Sequence, residues 1–201
     1  MNYREAMLRM FVGVPLAPGL DRKFGAIQAD LRRAQTHVSW VEPESLHLTV
    51  KFIGDFPASR IDFIAGLMTE SLAGTSPTCL SFRGVSFFPN ERFPKVIKVD
   101  ASDESGLMTK AHTILDSALL DEGIPSEGRP YHAHLTLGRV KNTKDIPTLV
   151  RIANAYSDTE FGSMDVSGLV LFATKLDRSG PRYTVLAEVD CPDPGYKSPG
   201  D

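Results

Sequence analysis

The chain lacks several features that would place it at once in a large class of proteins. It has only two cysteines among 201 residues, Cys79 and Cys191, and their spacing matches no zinc or redox motif. We interpret them as one buried thiol and one tail thiol in a reducing compartment and expect a cytoplasmic protein. No apolar run approaches the roughly 20 residues of a membrane helix. The apolar stretch near the N-terminus is interrupted by Pro15 and Pro18, so we expect neither a membrane span nor an export signal.

An excess of positive charge is also missing. The net charge is −3, which disfavours non-specific binding to long polyanions. No glycine-rich loop follows a strand pattern, so a dinucleotide-binding or P-loop site lacks its motif. The net charge does not exclude a local basic pocket, and the candidate residues for one are Lys51, Arg83, Arg92, Lys95, Lys98, Arg129 and Arg139.

The apolar residues that are present predict a sequence of strands and helices. A hydrophobic content of 42% over 201 residues is enough for one domain with a core. We predict strands over 8–16, 46–53, 79–87, 96–99, 131–140, 166–174 and 183–189, and helices over 19–36, 58–72, 102–122 and 146–156.

The boundaries between these elements carry turn and capping residues. Ser102 is the expected N-cap of the third helix and Gly123 its expected stop. A loop rich in prolines and charges is expected over residues 88–94, and a turn around 178–181. We expect one bilobal domain over residues 1–190 and a flexible tail over 191–201.

This element order favours an α+β fold with helices on the outer faces of two antiparallel sheets. The order strand, helix, strand, helix occurs in both halves, which predicts two similar lobes related by pseudo-two-fold symmetry around a central cleft. No long apolar stripe is left over once the core is assigned, and we expect a monomer.

One short pattern occurs twice, once in each half. Residues 47–50 and 134–137 both read His-Leu-Thr followed by an apolar residue, and both lie in predicted strands. Because side chains alternate along a strand, His47 and Thr49 point to one face and the apolar residues to the other. The second copy places His134 and Thr136 in the same way. We predict that the two strands bring all four polar side chains to a shared cleft.

These residue types suit acid–base chemistry on a phosphodiester. Histidine is the side chain whose ordinary pKa, about 6.5, allows it to act as base or acid near neutrality. One imidazole can remove a proton from water while the other protonates a leaving oxygen, and such catalysis typically contributes about 10² to 10⁴ in rate. The two threonine hydroxyls can donate hydrogen bonds to the charged phosphate oxygens.

The histidine spacing also allows a metal site. His132 and His134 form a His-x-His pair that could bind zinc with His47 as a third ligand. That alternative leaves both threonines without a role, and we expect no metal or other cofactor. His37 and His112 lie in helical or helix-end contexts and are expected at the surface.

With these residues in view, the sequence resembles a known family. Residues 47–54 and 134–139 resemble the paired signatures of the two-histidine phosphoesterases, and within them the RNA 2′,3′-cyclic phosphodiesterases, also called LigT or ThpR. The first strand, Trp40, the loop 88–94 and the segment 180–183 add to the resemblance, which spans roughly residues 8–190. In many relatives a Trp stands near Ile97-Lys98.

The resemblance implies a bilobal α+β fold and metal-independent opening of a terminal 2′,3′-cyclic phosphate on RNA to a 2′-phosphate. It implies that His47 and His134 are the catalytic pair, with His47 as acid and His134 as base by analogy. Thr49 and Thr136 would bind the phosphate. Arg139 would lie near the phosphate or the last base, and Phe52 would stack on the terminal base.

Phe52 and Arg139 each follow their histidine by five residues, which puts them on the wrong face of a regular strand. We therefore expect each strand to twist, bulge or end, with Gly54 and Gly138 as the expected places. Three functions remain open: hydrolysis at the 3′ end of RNA, an RNA-end-binding or 2′-5′ RNA-joining module, and hydrolysis of small cyclic or 2′,5′-linked nucleotides.

Overall fold

The strands and helices of this protein are described by a computed structural model covering residues 6–142, 144–177 and 180–192. These ranges hold nine strands and four helices. The strands are β1 (Met7–Pro15), β2 (Val38–Trp40), β3 (His47–Pro57), β4 (Thr78–Phe88), β5 (Val96–Asp103), β6 (His134–Val140), β7 (Glu160–Val166), β8 (Gly168–Asp177) and β9 (Gly180–Asp190). The helices are α1 (Leu20–Arg32), α2 (Ile61–Leu72), α3 (Leu107–Asp121) and α4 (Ile146–Asn154).

The strands form one nine-stranded antiparallel sheet, whose two halves meet at the two motif strands and are here called the first and the second sheet. One sheet has the order β9-β8-β1-β3, and the other has the order β6-β5-β4-β7, with β2 also paired to β6. Strands β3 and β6 are joined through one residue pair, Leu48 with Leu135, and both side chains are fully buried. The predicted α+β fold is confirmed, and the two predicted sheets are the halves of this one continuous sheet.

The helices cover the outer faces of the sheets in a crossed arrangement. Helices α2 and α3 pack together against β3, β8 and β9, whereas α1 and α4 pack together against β4 and β7. Thus α1 follows a strand of the first sheet but covers the second, and α3 does the reverse. This exchange ties the two lobes together and gives the repeat its pseudo-two-fold character.

Helix α1 buries the apolar residues whose spacing predicted a helix. Leu20, Phe24, Ile27 and Leu31 are all buried, as the helical period predicts. Phe24 packs edge-on against Phe82, with ring centroids 5.5 Å apart.

Four details differ from the sequence-based expectations. The thiol of Cys79 is exposed and not buried. Ser102 is not an N-cap: it lies in β5 opposite Ser81, and α3 begins after Gly106, whose φ of 72° favours glycine. Strand β3 continues through Gly54 instead of ending there, and pairs with β1 as far as Pro57. Strand β7 was not predicted, because most of its residues are exposed and its apolar alternation is weak.

Other boundaries agree with the sequence. Gly123, with φ 82°, follows the end of α3, and residues 89–95 form the loop between β4 and β5. Residues 178 and 179 of the predicted turn and residues 193–201 of the predicted tail lie outside the described residues, so the division at residue 190 stays a prediction. Within the described ranges, no helix is long and apolar enough to cross a membrane.

Candidate active site

The four polar residues of the two motifs lie together where the sheets meet. Because Leu48 and Leu135 pair and point into the core, the residues on either side of them point to the opposite face. Extending this antiparallel register by one residue sets His47 opposite Thr136 and Thr49 opposite His134. Side chains directly opposite are about 5 Å apart at Cβ and diagonal ones about 7–8 Å. The histidines therefore occupy one diagonal of a small square and the threonines the other.

A β-bulge at the fourth residue of the first motif turns Phe52 toward this face. Residues 11, 13 and 15 of β1 share one face, and their partners in β3 are Phe52, Thr49 and His47. The register skips Val50, which is the extra residue of the bulge. Phe52 therefore points to the same face as His47, although it follows His47 by an odd number of residues. The bulge that brings Phe52 to this face lies at Val50, and the register shifts a second time at Ile53, beside Gly54 with its φ of 82°. Phe52 is 47% exposed and borders a cavity of about 370 Å³ that neither histidine lines.

The second motif repeats this bulge at the equivalent position. Residues 96, 98 and 100 of β5 share one face, and their partners in β6 are Arg139, Thr136 and His134. Leu137 is the skipped residue, so Arg139 joins the histidine face. Gly138 was the expected site, but its role is close packing: a Cβ there would lie 2.6 Å from Val38 and 3.0 Å from Trp40.

Each bulge is held by a buried polar side chain from the helix that crosses over from the other half. His112 of α3 donates from Nδ1 to the Val50 carbonyl at 2.8 Å. Gln28 of α1 donates from Nε2 to the Leu137 carbonyl at 2.9 Å and to the Val41 carbonyl at 2.7 Å. A bulge leaves backbone groups outside the ladder, and these donors satisfy them. We call His112 and Gln28 the bulge donors.

The expectation that His112 is a surface residue is wrong, since its side chain is buried. Its ring stacks on Tyr131 with centroids 4.6 Å apart, and the Tyr131 hydroxyl donates to the Thr49 carbonyl at 3.1 Å. Burial raises the pKa of Tyr131, which keeps its hydroxyl protonated as a donor. The sequence held a signal for His112, because it lies four residues after buried Met108 on the apolar face of α3.

Both motif histidines are oriented by the same hydrogen bond. The Nδ1 atom of His47 donates to the Ser45 carbonyl and that of His134 donates to the His132 carbonyl, each at 2.8 Å. A carbonyl accepts only, so each neutral ring carries its proton on Nδ1 and leaves Nε2 as the base. The two rings are thus prepared alike for proton transfer through Nε2.

His47 lies among aromatic rings. Its centroid is 4.7 Å from Phe11, 4.9 Å from Tyr183 and 6.4 Å from Phe172. Burial lowers the pKa of His47; the Ser45 carbonyl opposes this, and the charge of Arg139 lowers it further. Burial raises the pKa of Tyr183, against the effect of Arg139. Tyr183 belongs to the segment 180–183, but sequence reasoning gave it no role at the site.

His134 lies among charged side chains. Asp100 is its partner across β5, and Lys98 is the partner of Thr136. Lys98 donates to Asp100, which also accepts from Ser86 at 2.8 Å. Burial is the largest cause of the lowered pKa of His134, and the charge of Lys98 adds to it while Asp100 opposes it. The alternation of Lys98 and Asp100 with buried Ile97 and Val99 was a readable signal for their place on this face.

The candidates for a basic pocket are divided among three places. Lys51 is wrong as a candidate: it is buried, and its Nζ contacts Asp116 at 2.6 Å and the Pro125 carbonyl at 3.3 Å. Arg83 lies in the middle of β4, opposite Asp100, and pairs with Asp158 at 3.3 Å and Glu160 at 3.9 Å. The remaining candidates lie on β5, β6 or the loops next to them, on the His134 side of the cleft.

The alternative of a zinc site finds no support in the described residues. They contain no group of three or more His, Cys, Asp or Glu side chains arranged to hold a metal ion. His132 is exposed, and it contributes its backbone carbonyl to His134 rather than sharing a ligand set with it.

Comparison with known proteins agrees with the duplicated architecture. The profile of the LigT-like phosphoesterases matches residues 14–98 and again residues 99–183, and each match contains one motif. The RNA 2′,3′-cyclic phosphodiesterase of Methanothermobacter thermautotrophicus is 34% identical over 177 residues, covering 88% of this chain and 95% of the relative. That of Archaeoglobus fulgidus is 31% identical over 179 residues, covering 89% and 98%.

Solved structures show the same fold. A crystal structure from Thermus thermophilus has a TM-score of 0.74 at 27% identity, covering 92% of this chain and 98% of that one. Escherichia coli LigT complexed with 3′-AMP has a TM-score of 0.73 at 19% identity, covering 94% and 100%.

Proposed function

The chain belongs to the LigT-like phosphoesterase family and is a hydrolase, and from this premise we propose that it hydrolyses the 2′,3′-cyclic phosphate at the 3′ end of RNA to a 2′-phosphate. The observation that carries this proposal is the pairing of Leu48 with Leu135, from which we infer the square of His47, Thr49, His134 and Thr136 at the junction of the sheets. It offers two similarly prepared imidazoles on either side of a space lined by hydroxyls. The activity named for the archaeal relatives is the second support.

The proposed reaction is an in-line displacement at phosphorus. Water attacks the phosphorus atom as His134 Nε2 takes its proton, and the bond from phosphorus to O3′ breaks as His47 donates a proton to O3′. The product carries a 2′-phosphomonoester and a free 3′-hydroxyl, so atoms and charge balance. The assignment of acid and base follows the family resemblance, because both pKa values are lowered by the same dominant cause, burial.

Charge that develops on the two non-bridging oxygens needs donors. We assign this role to the hydroxyls of Thr49 and Thr136, which lie on the other diagonal of the square. Lys98 lies beside Thr136 on the same face and adds a positive charge. Preorganised donors of this kind stabilise the transition state more than the ground state.

The terminal nucleoside is proposed to lie over the first sheet and the edge of the second. Phe52 shares the His47 face and offers an exposed ring for base stacking. Arg139 shares the His134 face, and its charge lowers the pKa of both His47 and Tyr183. We assign it to the phosphate or the last base.

The direct test is incubation with RNA ending in a 2′,3′-cyclic phosphate, with and without a chelator, followed by identification of the monoester. We expect a 2′-phosphate at equal rates with and without EDTA, since proton transfer and hydroxyl donors suffice for this reaction. A 3′-phosphate product or loss of turnover in EDTA would refute the proposal. Binding without any product would indicate an RNA-end-binding module, and a joined product with 5′-hydroxyl RNA would indicate ligation.

A further inference from the structure

The exposed phenylalanines of this protein are not scattered over its surface. Of its eleven phenylalanines, all within the described ranges, only Phe52, Phe88 and Phe93 are exposed, at 47%, 41% and 59%. Single exposed apolar residues need no explanation, but a group beside a site does. Phe52 is accounted for by the terminal base, whereas Phe88 and Phe93 have no place in the proposed reaction.

The sheet register puts Phe88 on the face that carries His134. Phe88 pairs with Val96 across β4 and β5, and Val96 pairs with Arg139 across β5 and β6. One step along the sheet, Ser86, Lys98 and Thr136 form the neighbouring row. Strands are spaced about 4.8 Å apart, so Phe88 lies about 10 Å from Arg139 across the second sheet. This is the scale of one or two nucleotides beyond the phosphate site.

Arginines accompany both rings. The guanidinium carbon of Arg129 lies 4.5 Å from the Phe88 ring centroid, and that of Arg92 lies 5.2 Å from the Phe93 centroid. Arg129 also makes an ion pair with Glu127 at 3.2 Å, but this pair is at the surface and holds the side chain weakly. The charge of Arg129 contributes to the lowered pKa of His134, in agreement with the place of Phe88 on the His134 face.

This combination of groups recognises single-stranded RNA. Phenylalanine rings and guanidinium planes stack on unpaired bases, and the guanidinium charges attract the phosphates between them. Lys95, between the loop and β5, adds a third positive charge to the same end of the hairpin. The net charge of −3 means that such attraction is local and directs the chain along one side of the cleft.

We propose that Phe88, Arg92, Phe93 and Arg129, here called the hairpin platform, bind the nucleotides on the 5′ side of the cyclic phosphate. The inference rests on the proposed function and specifies its substrate as the end of a single-stranded RNA chain rather than a free cyclic nucleotide. The terminal base stacks on Phe52 over the first sheet, and the preceding bases leave the cleft over β5 and β4.

The test compares two substrates in each variant. One substrate is a hexanucleotide RNA ending in a 2′,3′-cyclic phosphate, and the other is 2′,3′-cyclic AMP. For the double variant Phe88→Ala/Phe93→Ala we expect kcat/KM to fall about tenfold or more with the hexanucleotide, since each stacked base contributes about fivefold or more and two stacking rings are removed. With 2′,3′-cyclic AMP we expect no change beyond about twofold, because a single nucleotide does not reach the platform.

Matched controls separate the platform from general surface effects. Leu120→Ala removes an equally exposed apolar side chain on α3, and Arg33→Ala removes an exposed arginine just after the end of α1. Both control variants should leave kcat/KM unchanged with either substrate. Arg92→Ala should lower kcat/KM with the hexanucleotide alone. Equal losses with both substrates, or no loss with either, would overturn the platform.

A binding measurement keeps the platform testable apart from turnover. Fluorescence anisotropy of a labelled hexanucleotide ending in a 2′-phosphate should give a Kd about tenfold weaker for the double variant than for the wild type. An unchanged Kd would overturn the platform. Absence of any hydrolysis by the wild type would instead overturn the proposed function, while the Kd comparison would still decide the platform.

Discussion

The bulge donors give the most specific prediction about how this fold positions its site. His112→Ala removes the Nδ1 donor and leaves the Val50 carbonyl buried without its partner. An unsatisfied buried acceptor costs about 1–3 kcal/mol, and loss of the ring stacked on Tyr131 costs about 1 kcal/mol more. We expect the free energy of unfolding to fall by about 3 kcal/mol.

The conservative variant His112→Asn separates the hydrogen bond from the ring. Asparagine Nδ2 can occupy the place of histidine Nδ1 and donate to the same carbonyl, but it has no aromatic ring. His112→Asn should therefore be more stable than His112→Ala by about 1–3 kcal/mol. Thr113→Ala, on the exposed side of the same helix, is the control and should stay within about 0.5 kcal/mol of wild type.

The same variants test whether the bulge matters for activity. If the Val50 bulge relaxes, Phe52 and His47 lose their common face, and misplacement of about 1 Å can cost about 10² in rate. We expect kcat/KM for cyclic-phosphate RNA to fall by about this factor in His112→Ala and to recover largely in His112→Asn. Urea unfolding and steady-state kinetics, under conditions where each variant is folded, provide both readouts.

The pseudo-equivalent position gives an independent repeat of this experiment. Gln28→Met keeps the side-chain volume but removes the donor to the Leu137 and Val41 carbonyls. We expect Gln28→Met to loosen the bulge at Leu137 and so to lower kcat/KM for cyclic-phosphate RNA, as His112→Ala does at Val50. If His112→Asn behaved like His112→Ala, or if either donor could be removed with stability lost and kcat/KM unchanged, the positioning role would be wrong.

Two further predictions concern the histidines themselves. A substrate with a good leaving group should rescue His47→Ala but not His134→Ala, because only loss of the acid is compensated; rescue of His134→Ala alone would reverse the assignment. The pKa values of both rings are lowered from 6.5 in the folded state. Below about pH 6.5 the unfolded chain therefore binds protons on these histidines that the folded chain does not bind, and the free energy of unfolding falls. Urea unfolding should therefore show stability falling from about pH 7.5 to about pH 5.5, with a smaller drop in His47→Ala/His134→Ala; an equal drop would contradict the shifts.

The sequence predicted the parts of the site that depend on local period. Alternation along a strand placed His47 with Thr49 and His134 with Thr136, and helical spacing identified the buried face of α1. Strand alternation and helical spacing can be predicted from residues that are neighbours in the sequence.

The bulges could be anticipated but not located. The odd spacing from His47 to Phe52 required one, yet its position depends on a donor from α3, 62 residues further along the chain. Glycine was the natural local choice, whereas the structure uses Val50 and satisfies its carbonyl from outside the sheet. Tyr183 was missed for a similar reason, since only the pairing of β8 with β1 and β9 brings it to His47.

The proposed reaction depends most directly on two histidines, His47 and His134, that act on one phosphorus atom. Its decisive measurement is the rate of cyclic-phosphate RNA hydrolysis in EDTA for His47→Ala, His134→Ala and the double variant. Groups that act as a unit are not additive, so we expect each single variant to lose at least about 10² and the double to lose little more than the worse single. Full activity in either single variant, or losses that multiply in the double, would show that the two rings do not serve one reaction.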